Sequence, residues 1–378
     1  MKTATRPTPK IEAIQAKFAA TRRELGEALI ERDDEIDLVL TSLIAREHLL
    51  LVGPPGCGKS LLLDSILSWM HGTKFSILLT KFTTPEEVVG PISIGALKED
   101  RYRRVTAGRL PEAELAFVDE IWKASSAILN TLLRMLNERT FENDGVIVTV
   151  PLRLCVAASN EWPSPETGKE LTALMDRFLF RKTVRPIMTM AGRRKLLWTR
   201  DHAPRLSTTI TAEEVDAAHA AARSLPWSND AIEAAELILR ELAREGVQPG
   251  DRRQYKSVAA AQAYAFLCGA DEVRTEHLEV LATVLWDEPI EQPEKCSKVV
   301  ARIANPTGMR VNQFLLECEK ILAATDVRNL GQAAAASTKL QEIEKQLGSL
   351  PGDPRASKAR AYVRDQLKRI RLASIDAI

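Results

Sequence analysis

A glycine-rich stretch carries the residue types that bind phosphate. It joins the apolar run 49–52 to the helical pattern 61–70 and reads Gly53-Pro54-Pro55-Gly56-Cys57-Gly58-Lys59-Ser60. Glycines let the backbone curve closely around an anion, and the N–H groups at a helix start attract its charge. In this spacing Lys59 reaches the β- and γ-phosphates of a nucleotide, and Ser60 ligates Mg²⁺. We therefore predict a nucleoside triphosphate site over residues 53–61, which includes Leu61 in the first helical turn.

Polar residues follow two later apolar runs. Asp119 and Glu120 come directly after the run 115–118, and Asn160 follows the run 154–158. Asp119 is placed to hold Mg²⁺, and Glu120 to orient the attacking water or accept its proton. The amide of Asn160 could hydrogen-bond the γ-phosphate or the same water. Because the carboxyl ends of parallel strands meet at one crevice, we expect these side chains near Lys59.

Short apolar runs alternate with helical patterns through the first half of the chain. These runs are 49–52, 75–79, 115–118, 154–158 and 178–184. The alternation predicts an α/β fold whose parallel sheet is covered by helices on both faces. Two inserts interrupt it. The first, 90–111, has glycines and prolines around short β-like pieces, and the second, 140–150, has an Asn-Asp-Gly sequence that predicts a hairpin.

The second half of the chain is helical. Patterns at 191–201, 212–224, 230–244, 252–268 and 275–286 predict a small all-α domain. Pro289, Pro293 and Pro306 then predict a linker, and three further helices follow over 311–324, 332–348 and 358–377. We divide the chain into an N-terminal helix and tail (1–27), a nucleotide-binding core (28–186), a helical lid (187–290), and a linker with C-terminal helices (291–378).

Composition narrows the functional class. The 378 residues include 52 basic and 51 acidic side chains, so the net charge of +1 gives no general signal for nucleic acid. The 5 cysteines form no CxxC pair, which argues against a disulfide framework or zinc cluster and favours a reducing compartment. Cys57 is interpreted as a small loop residue, with a redox-active thiol as the alternative. We find no signal peptide or membrane-spanning run, and expect a cytoplasmic protein.

The motifs together resemble the AAA+ ATPases, and within them the MoxR family, including its RavA-like members. The resemblance covers about residues 28–290. It rests on the segment 31–36, the phosphate loop, Phe117-Val118-Asp119-Glu120, the stretch 129–139, Ala158-Ser159-Asn160 and Leu174-Met175-Asp176-Arg177-Phe178. It implies a five-stranded core of order 5-1-4-3-2, an α-helical lid, and a ring, usually of six copies. The inserts then correspond to a helix-2 insert (90–111) and a pre-sensor-1 hairpin (140–150).

The resemblance also assigns arginines. Arg177 matches the arginine finger that is donated to the γ-phosphate of a neighbouring subunit, with Arg181 as the fallback. Arg252 and Arg253 open a lid helix at the sensor-2 position, and one of them, by preference Arg252, should reach back to the γ-phosphate. A guanidinium in either place would stabilise the charge that grows in the transition state.

The function implied is Mg²⁺-dependent ATP hydrolysis that drives chaperone-like remodelling of a protein client. The partner implied by the resemblance carries a von Willebrand A domain. A nucleic-acid motor is an alternative, since Lys98, Arg101, Arg103 and Arg104 lie in the first insert. A metal-chelatase motor subunit and a non-hydrolysing ATP-binding scaffold are further alternatives. The basic helix 358–377 is interpreted as packed on one face and solvated on the other.

Overall fold

A parallel five-stranded sheet forms the centre of the N-terminal half of the chain. The structure, a computed structural model, describes residues 8–163, 169–198, 204–325, 330–350 and 354–375. The sheet strands are β1 (His48–Val52), β2 (Lys74–Leu78), β3 (Leu115–Asp119), β6 (Leu154–Ser159) and β7 (Phe178–Thr183), and a separate hairpin contains β4 (Thr140–Asn143) and β5 (Val146–Thr149). The sheet order is β2-β3-β6-β1-β7. Numbering only the sheet strands along the chain, this is the expected order 5-1-4-3-2.

Helices cover both faces of the sheet and form the remainder of the chain. They are α1 (Pro9–Ala28), α2 (Asp33–Ala45), α3 (Lys59–Trp69), α4 (Pro85–Val89), α5 (Ile94–Leu97), α6 (Ser126–Glu138), α7 (Lys169–Arg177), α8 (Met190–Trp198), α9 (Ala212–Ser224), α10 (Asn229–Arg244), α11 (Asp251–Leu267), α12 (Gln292–Ala304), α13 (Pro306–Ala324), α14 (Leu330–Gly348) and α15 (Pro354–Ile375). Short 3₁₀ helices span Leu110–Glu112, Ile121–Lys123 and Thr275–Thr283.

Strand β1 shows why the sheet lies at the centre. All five of its residues are buried. Leu49 and Leu51 pack into the core shared with α1, α2 and the lid helices, whereas Leu50 and Val52 pack into a second core with α6 and α7. Since successive side chains of a strand point to opposite faces, a strand that is apolar throughout must be covered on both sides.

The two inserts differ in regularity. The Asn-Asp-Gly turn forms the predicted hairpin, in which Asp144 and Gly145 have φ values of 57° and 74°. Positive φ at both central turn residues matches the right-handed twist of the flanking strands. In the first insert the predicted β-like pieces reduce to a single antiparallel bridge between Ile92 and Arg104, beside the helical turn α5.

The prediction of a linker after residue 290 is wrong for Gln292–Ala304, because these residues form α12. Pro293 lies in the first turn of α12, where the missing N–H costs no helical hydrogen bond. Cys296, Val299 and Val300 are buried in the same core as the lid helices. The lid core therefore extends beyond the predicted boundary, and the C-terminal bundle begins at α13.

Helices α13–α15 enclose a separate apolar core that includes Leu340, Val363 and Leu367. Part of the basic charge of α15 is neutralised within the bundle, because Arg360 and Arg364 both donate to Glu344. This agrees with the interpretation of a packed and solvated helix. The side chain of Arg371 lies outside the described residues. No described helix combines the length and apolar character needed to cross a bilayer.

The first strand begins with a fully buried histidine. His48 Nδ1 accepts the N–H of Cys155 at 3.1 Å, so the ring proton belongs on Nε2, which lies 3.0 Å from the carbonyl oxygen of Leu136. Burial, together with the charge of Arg139, lowers the pKa of His48 to about 3. The neutral imidazole is therefore the form that fits, since a second proton would displace the Cys155 N–H.

His48 should make the fold sensitive to acid. Its folded-state pKa lies below the unfolded value of about 6.5, so the unfolded chain takes up the proton first as pH falls, and stability is lost between about pH 6.5 and 3. We expect a loss of about 2 kcal/mol between pH 7 and pH 5, which the His48→Gln variant should not show. Urea unfolding at both pH values measures it, with exposed His71→Gln as the control. An unchanged pH slope in His48→Gln would contradict the assignment.

Candidate functional site

The phosphate loop lies at the carboxyl edge of the sheet, between β1 and α3. The N–H of Gly53 donates to the carbonyl of Ser159, the last residue of β6, at 3.0 Å. A Cβ at Gly53 would lie 2.3 Å from the carbonyl oxygen of Val184, so only glycine fits there. The loop is therefore anchored to both neighbouring strands of β1.

The centre of the loop is open to an anion. Gly56 and Gly58 both have φ of 79°, and no atom lies within 4 Å of a Cβ built on either residue. Pro54, Pro55 and Ser60 are exposed around them. Left-handed glycines at a helix start turn backbone N–H groups toward one point, which is the geometry of an anion nest.

Two loop side chains are buried, and one first-turn side chain is partly exposed. Lys59 is only 8% exposed, and its Nζ donates to the carbonyls of Gly53 at 2.5 Å and Pro54 at 3.1 Å. Cys57 is buried, and Leu61 in the first turn of α3 is 39% exposed. Lys59 is thus held at the mouth of the loop by neutral acceptors rather than by a carboxylate.

Asp119, Glu120 and Asn160 meet at the same edge. Asp119 Oδ1 accepts the N–H of Glu120 at 2.9 Å, and Asn160 Nδ2 donates to Glu120 Oε1. Glu120 also pairs with Lys123 at 3.3 Å and has a left-handed φ of 54°. A positive φ is uncommon for a non-glycine residue and is concentrated at functional sites. The structure therefore brings together the residues predicted around Lys59.

This set of residues fits a nucleotide and Mg²⁺. The open glycine cradle suits a polyphosphate, and Ser60 and Asp119 supply the hydroxyl and carboxylate oxygens that hard cations prefer. Among the described residues, no cluster of three or more His, Cys, Asp or Glu side chains could hold a metal alone. A magnesium ion that shares its ligands with substrate phosphates does not need such a cluster.

Arg177 lies at the opposite edge. It ends α7 and directly precedes Phe178, which pairs with His48 at the start of β1. Its guanidinium pairs with Asp176 at 2.9 Å, and its buried Nε has no hydrogen-bond partner among the described residues. The length of β1 separates this edge from the phosphate loop by about 13 Å at 3.3 Å per residue.

Arg181, the fallback for Arg177, is a structural residue. It is 1% exposed and donates to the carbonyls of Met175, Phe178 and Trp286. Burial, together with the charge of Arg253, lowers the pKa of Arg181 to about 9. A buried guanidinium that already donates to three internal carbonyls is not accessible to a ligand.

The prediction that Arg252 or Arg253 reaches the phosphate loop of the same chain is wrong. Arg252 is exposed and donates to Asn137 at the end of α6. Arg253 is 4% exposed and donates to the carbonyl of Leu179, and it pairs with Asp287 at 3.0 Å. Both arginines lie at the amino edge because α11 packs against α2 and α9 rather than over the phosphate loop.

Arg32 is a residue to which the sequence assigned no role. It is 6% exposed and ties three segments together through their carbonyls. Nε donates to Cys57 in the phosphate loop at 2.9 Å, Nη1 to Glu31 at 2.6 Å and Nη2 to Arg185 at 2.8 Å. In the sequence, the only indication of a role for Arg32 is its position in the segment 31–36, which belongs to the motifs that resemble the family.

Arg32 donates a hydrogen bond to the carbonyl of Cys57 in the phosphate loop. Replacing its guanidinium by an amine, which has fewer donors, should leave the loop less well held. We expect Arg32→Lys to fold but to bind ADP about tenfold more weakly, since each lost charge-assisted hydrogen bond is worth about 1.5–3 kcal/mol. The turnover rate at saturating ATP should change much less. Titration with a fluorescent ADP analogue measures the affinity, and exposed Arg240→Lys is the control. Unchanged affinity in folded Arg32→Lys would refute this positioning role.

Comparison with known proteins agrees with this geometry. The model of the MoxR domain in MoxR–vWA–β-propeller ternary systems matches residues 16–219, more than half of the 378 residues. An uncharacterised protein of Methanocaldococcus jannaschii is 37% identical over 366 residues, which cover 96% of this chain and 91% of that protein. Chaperone MoxR1 of Mycobacterium tuberculosis is 26% identical over 188 residues, 47% of this chain and 48% of its own.

The fold has a counterpart among solved structures. A candidate ATPase from Cytophaga hutchinsonii superimposes with a TM-score of 0.62 at 16% identity, over 78% of this chain and 96% of its own. At that identity the likeness concerns the fold alone. The extent of the family-model match decides the assignment, and the chain belongs to the MoxR family of AAA+ ATPases.

Proposed function

We propose that the chain hydrolyses ATP to ADP and phosphate with Mg²⁺ at the carboxyl edge of the sheet. The observation that carries this proposal is the convergence of the glycine cradle, Lys59 and the Glu120–Asn160 pair at one edge. Residues 53–61 would hold the triphosphate, and Ser60 and Asp119 the Mg²⁺. The ion neutralises charge on the phosphates when bound.

Glu120 is the residue that would orient the attacking water. Its carboxylate is 12% exposed and is held by Asn160 and Lys123. In this role Asn160 fixes the direction of the carboxylate and can exchange its amide contact for the γ-phosphate or the water. Lys59 would move its charge from the loop carbonyls to the β- and γ-phosphates, an exchange of neutral for anionic acceptors.

A second copy of the chain would complete each site. Arg177 is at the opposite edge from its own phosphate loop, so its role as a finger requires another chain that presents Lys59 to it. Its Nε lacks a hydrogen-bond partner among the described residues, which suits a side chain that gains one on assembly. Arg252 is exposed at the same edge and would act on the same neighbour. A closed ring, usually of six in this family, satisfies this head-to-tail contact.

The two inserts would transmit the conformational change that ATP hydrolysis drives to a protein client. They are joined by reciprocal bonds: Asn143 accepts the N–H of Arg104 at 2.8 Å and donates to its carbonyl at 3.1 Å. Arg101 adds an ion pair to Asp144 with a bond of 2.9 Å. The inserts should therefore move as one unit during core and lid motion.

That unit presents an apolar surface suited to a protein client. Its exposed large apolar side chains are Ile94, Leu97, Tyr102, Val105, Val146, Ile147 and Val148. The basic residues that favoured a nucleic-acid motor are partly neutralised, since Arg101 pairs with Asp144 and Arg104 with Glu86. We therefore rank the nucleic-acid motor below the protein-remodelling function. No feature of the described residues favours the chelatase alternative. The matched family model supports a partner with a vWA domain, together with a β-propeller protein.

The Glu120→Gln substitution tests the hydrolytic proposal. Removing the carboxylate while keeping its shape should lower ATP turnover by about 100-fold or more, the usual contribution of a general base. ATP binding should remain, because Lys59 and the glycine cradle are unchanged. Phosphate release and nucleotide titration measure the two properties, with Glu161→Gln, an exposed neighbour at the same edge, as the control. Full turnover in Glu120→Gln would contradict the proposal.

A further inference from the structure

A cavity lies at the amino edge of the sheet, the edge opposite the phosphate loop. It has a volume of about 680 Å³. Its walls come from the segment before β1, the end of α6, the segment before β6, and the lid helices α9 and α11. This amino-edge pocket therefore lies between the core and the lid, and its size is that of a small-molecule site.

The pocket is strongly basic. Its cationic lining residues are Arg46, Arg139, Arg153, Arg223, Arg252 and Lys256, whereas Glu47 is the one carboxylate among its lining residues. Three of these cations have local partners. Lys256 pairs with Glu47 at 2.6 Å, and Arg46 and Arg153 share Asp216. Arg139 and Arg223 form no salt bridge among the described residues. Arg252 forms none either, but it donates to Asn137 and is assigned above to the neighbouring copy.

Arg139 shows that this charge excess is built into the fold. It has a left-handed φ of 53° and donates to the carbonyl of Arg46 at 2.6 Å, which fixes it at the pocket wall. Burial is the main cause that lowers its pKa, and the charges of Arg46 and Arg153 act in the same direction despite Glu47. The buried Nε of Arg46 also has no hydrogen-bond partner in the described part of the chain.

One histidine of the pocket wall, His219, lies in the same positive potential. Burial, followed by the charges of Arg46 and Arg223, lowers the pKa of His219, whose Nδ1 lies 2.8 Å from the carbonyl oxygen of Ile44. His219 and Arg223 are contributed by α9, a different element from Arg139. A concave surface with one sign of charge concentrates anions of the opposite sign.

We propose that the amino-edge pocket binds a small molecule bearing a di- or triphosphate group. Guanidinium forks match phosphate oxygens in bidentate geometry, and the guanidinium groups of Arg139 and Arg223 have no salt-bridge partner among the described residues. Arg139 comes from the core and Arg223 from the lid. The bound anion would therefore join core and lid and favour one arrangement between them. The site is separate from the phosphate loop of the same chain.

Calorimetric titration of inorganic tripolyphosphate into the Lys59→Ala chain tests the pocket, because this variant weakens the phosphate loop as a competing site. We expect one equivalent to bind, with affinity that falls as NaCl is raised. Arg139→Gln and Arg223→Gln should each weaken binding by about tenfold, the size of a lost charge-assisted contact. Arg240→Gln, an exposed arginine of α10, should leave it unchanged.

A second measurement avoids dependence on the folding of any one variant. The wild-type chain should bind two equivalents of tripolyphosphate, one at the phosphate loop and one at the pocket, and exposed Arg223→Gln should weaken only one of the two. Absence of binding to the Lys59→Ala chain, and of a second equivalent in the wild-type chain, up to about 1 mM would overturn the proposal, since that concentration corresponds to only about 4 kcal/mol of binding free energy. Equal affinity in Arg223→Gln and Arg240→Gln would also overturn it.

Discussion

The polarity of the parallel sheet is the constraint on which the whole arrangement depends. All five strands point the same way, so their carboxyl ends gather the phosphate loop, Asp119, Glu120 and Asn160 at one edge. The same polarity places Arg177, which precedes a strand, at the other edge. Groups separated by the length of a strand cannot act on one phosphate within a single chain. The proposed ring follows from this separation, because it brings the two edges of different copies together.

Buried arginines hold the two edges in place by donating to backbone carbonyls. Arg32 joins the phosphate loop to the segments before α2 and after β7. Arg181 and Arg253 join the start of β7 to the lid segment that follows the 3₁₀ helix Thr275–Thr283, through Trp286 and Val284. A guanidinium has five donors in a rigid plane, so it can satisfy carbonyls from several segments at once. In this structure these contacts connect the lid directly to the start of β7, next to Arg177.

The sequence predicted the parts of the molecule whose signal is local. The phosphate loop, the strand-end carboxylates and the Asn-Asp-Gly turn each depend on a few adjacent residues, and each takes the expected form. The predicted cis contact of Arg252 or Arg253 failed because the direction in which α11 packs is set by distant apolar contacts. Pro293 favours a linker when only the local sequence is considered, but it lies in the first turn of α12, where proline is tolerated. The roles of Arg32 and of the amino-edge pocket arise from residues far apart in the chain, which no local pattern shows.

The most direct test of the central claim is to mix two inactive variants. Lys59→Ala lacks the phosphate-loop cation but keeps Arg177, and Arg177→Ala has the reverse defect. Random mixing into rings should restore about a quarter of the wild-type ATP turnover per chain, because one in four interfaces joins an intact loop to an intact finger. A mixture no more active than either variant alone would contradict completion of the site by a neighbouring copy.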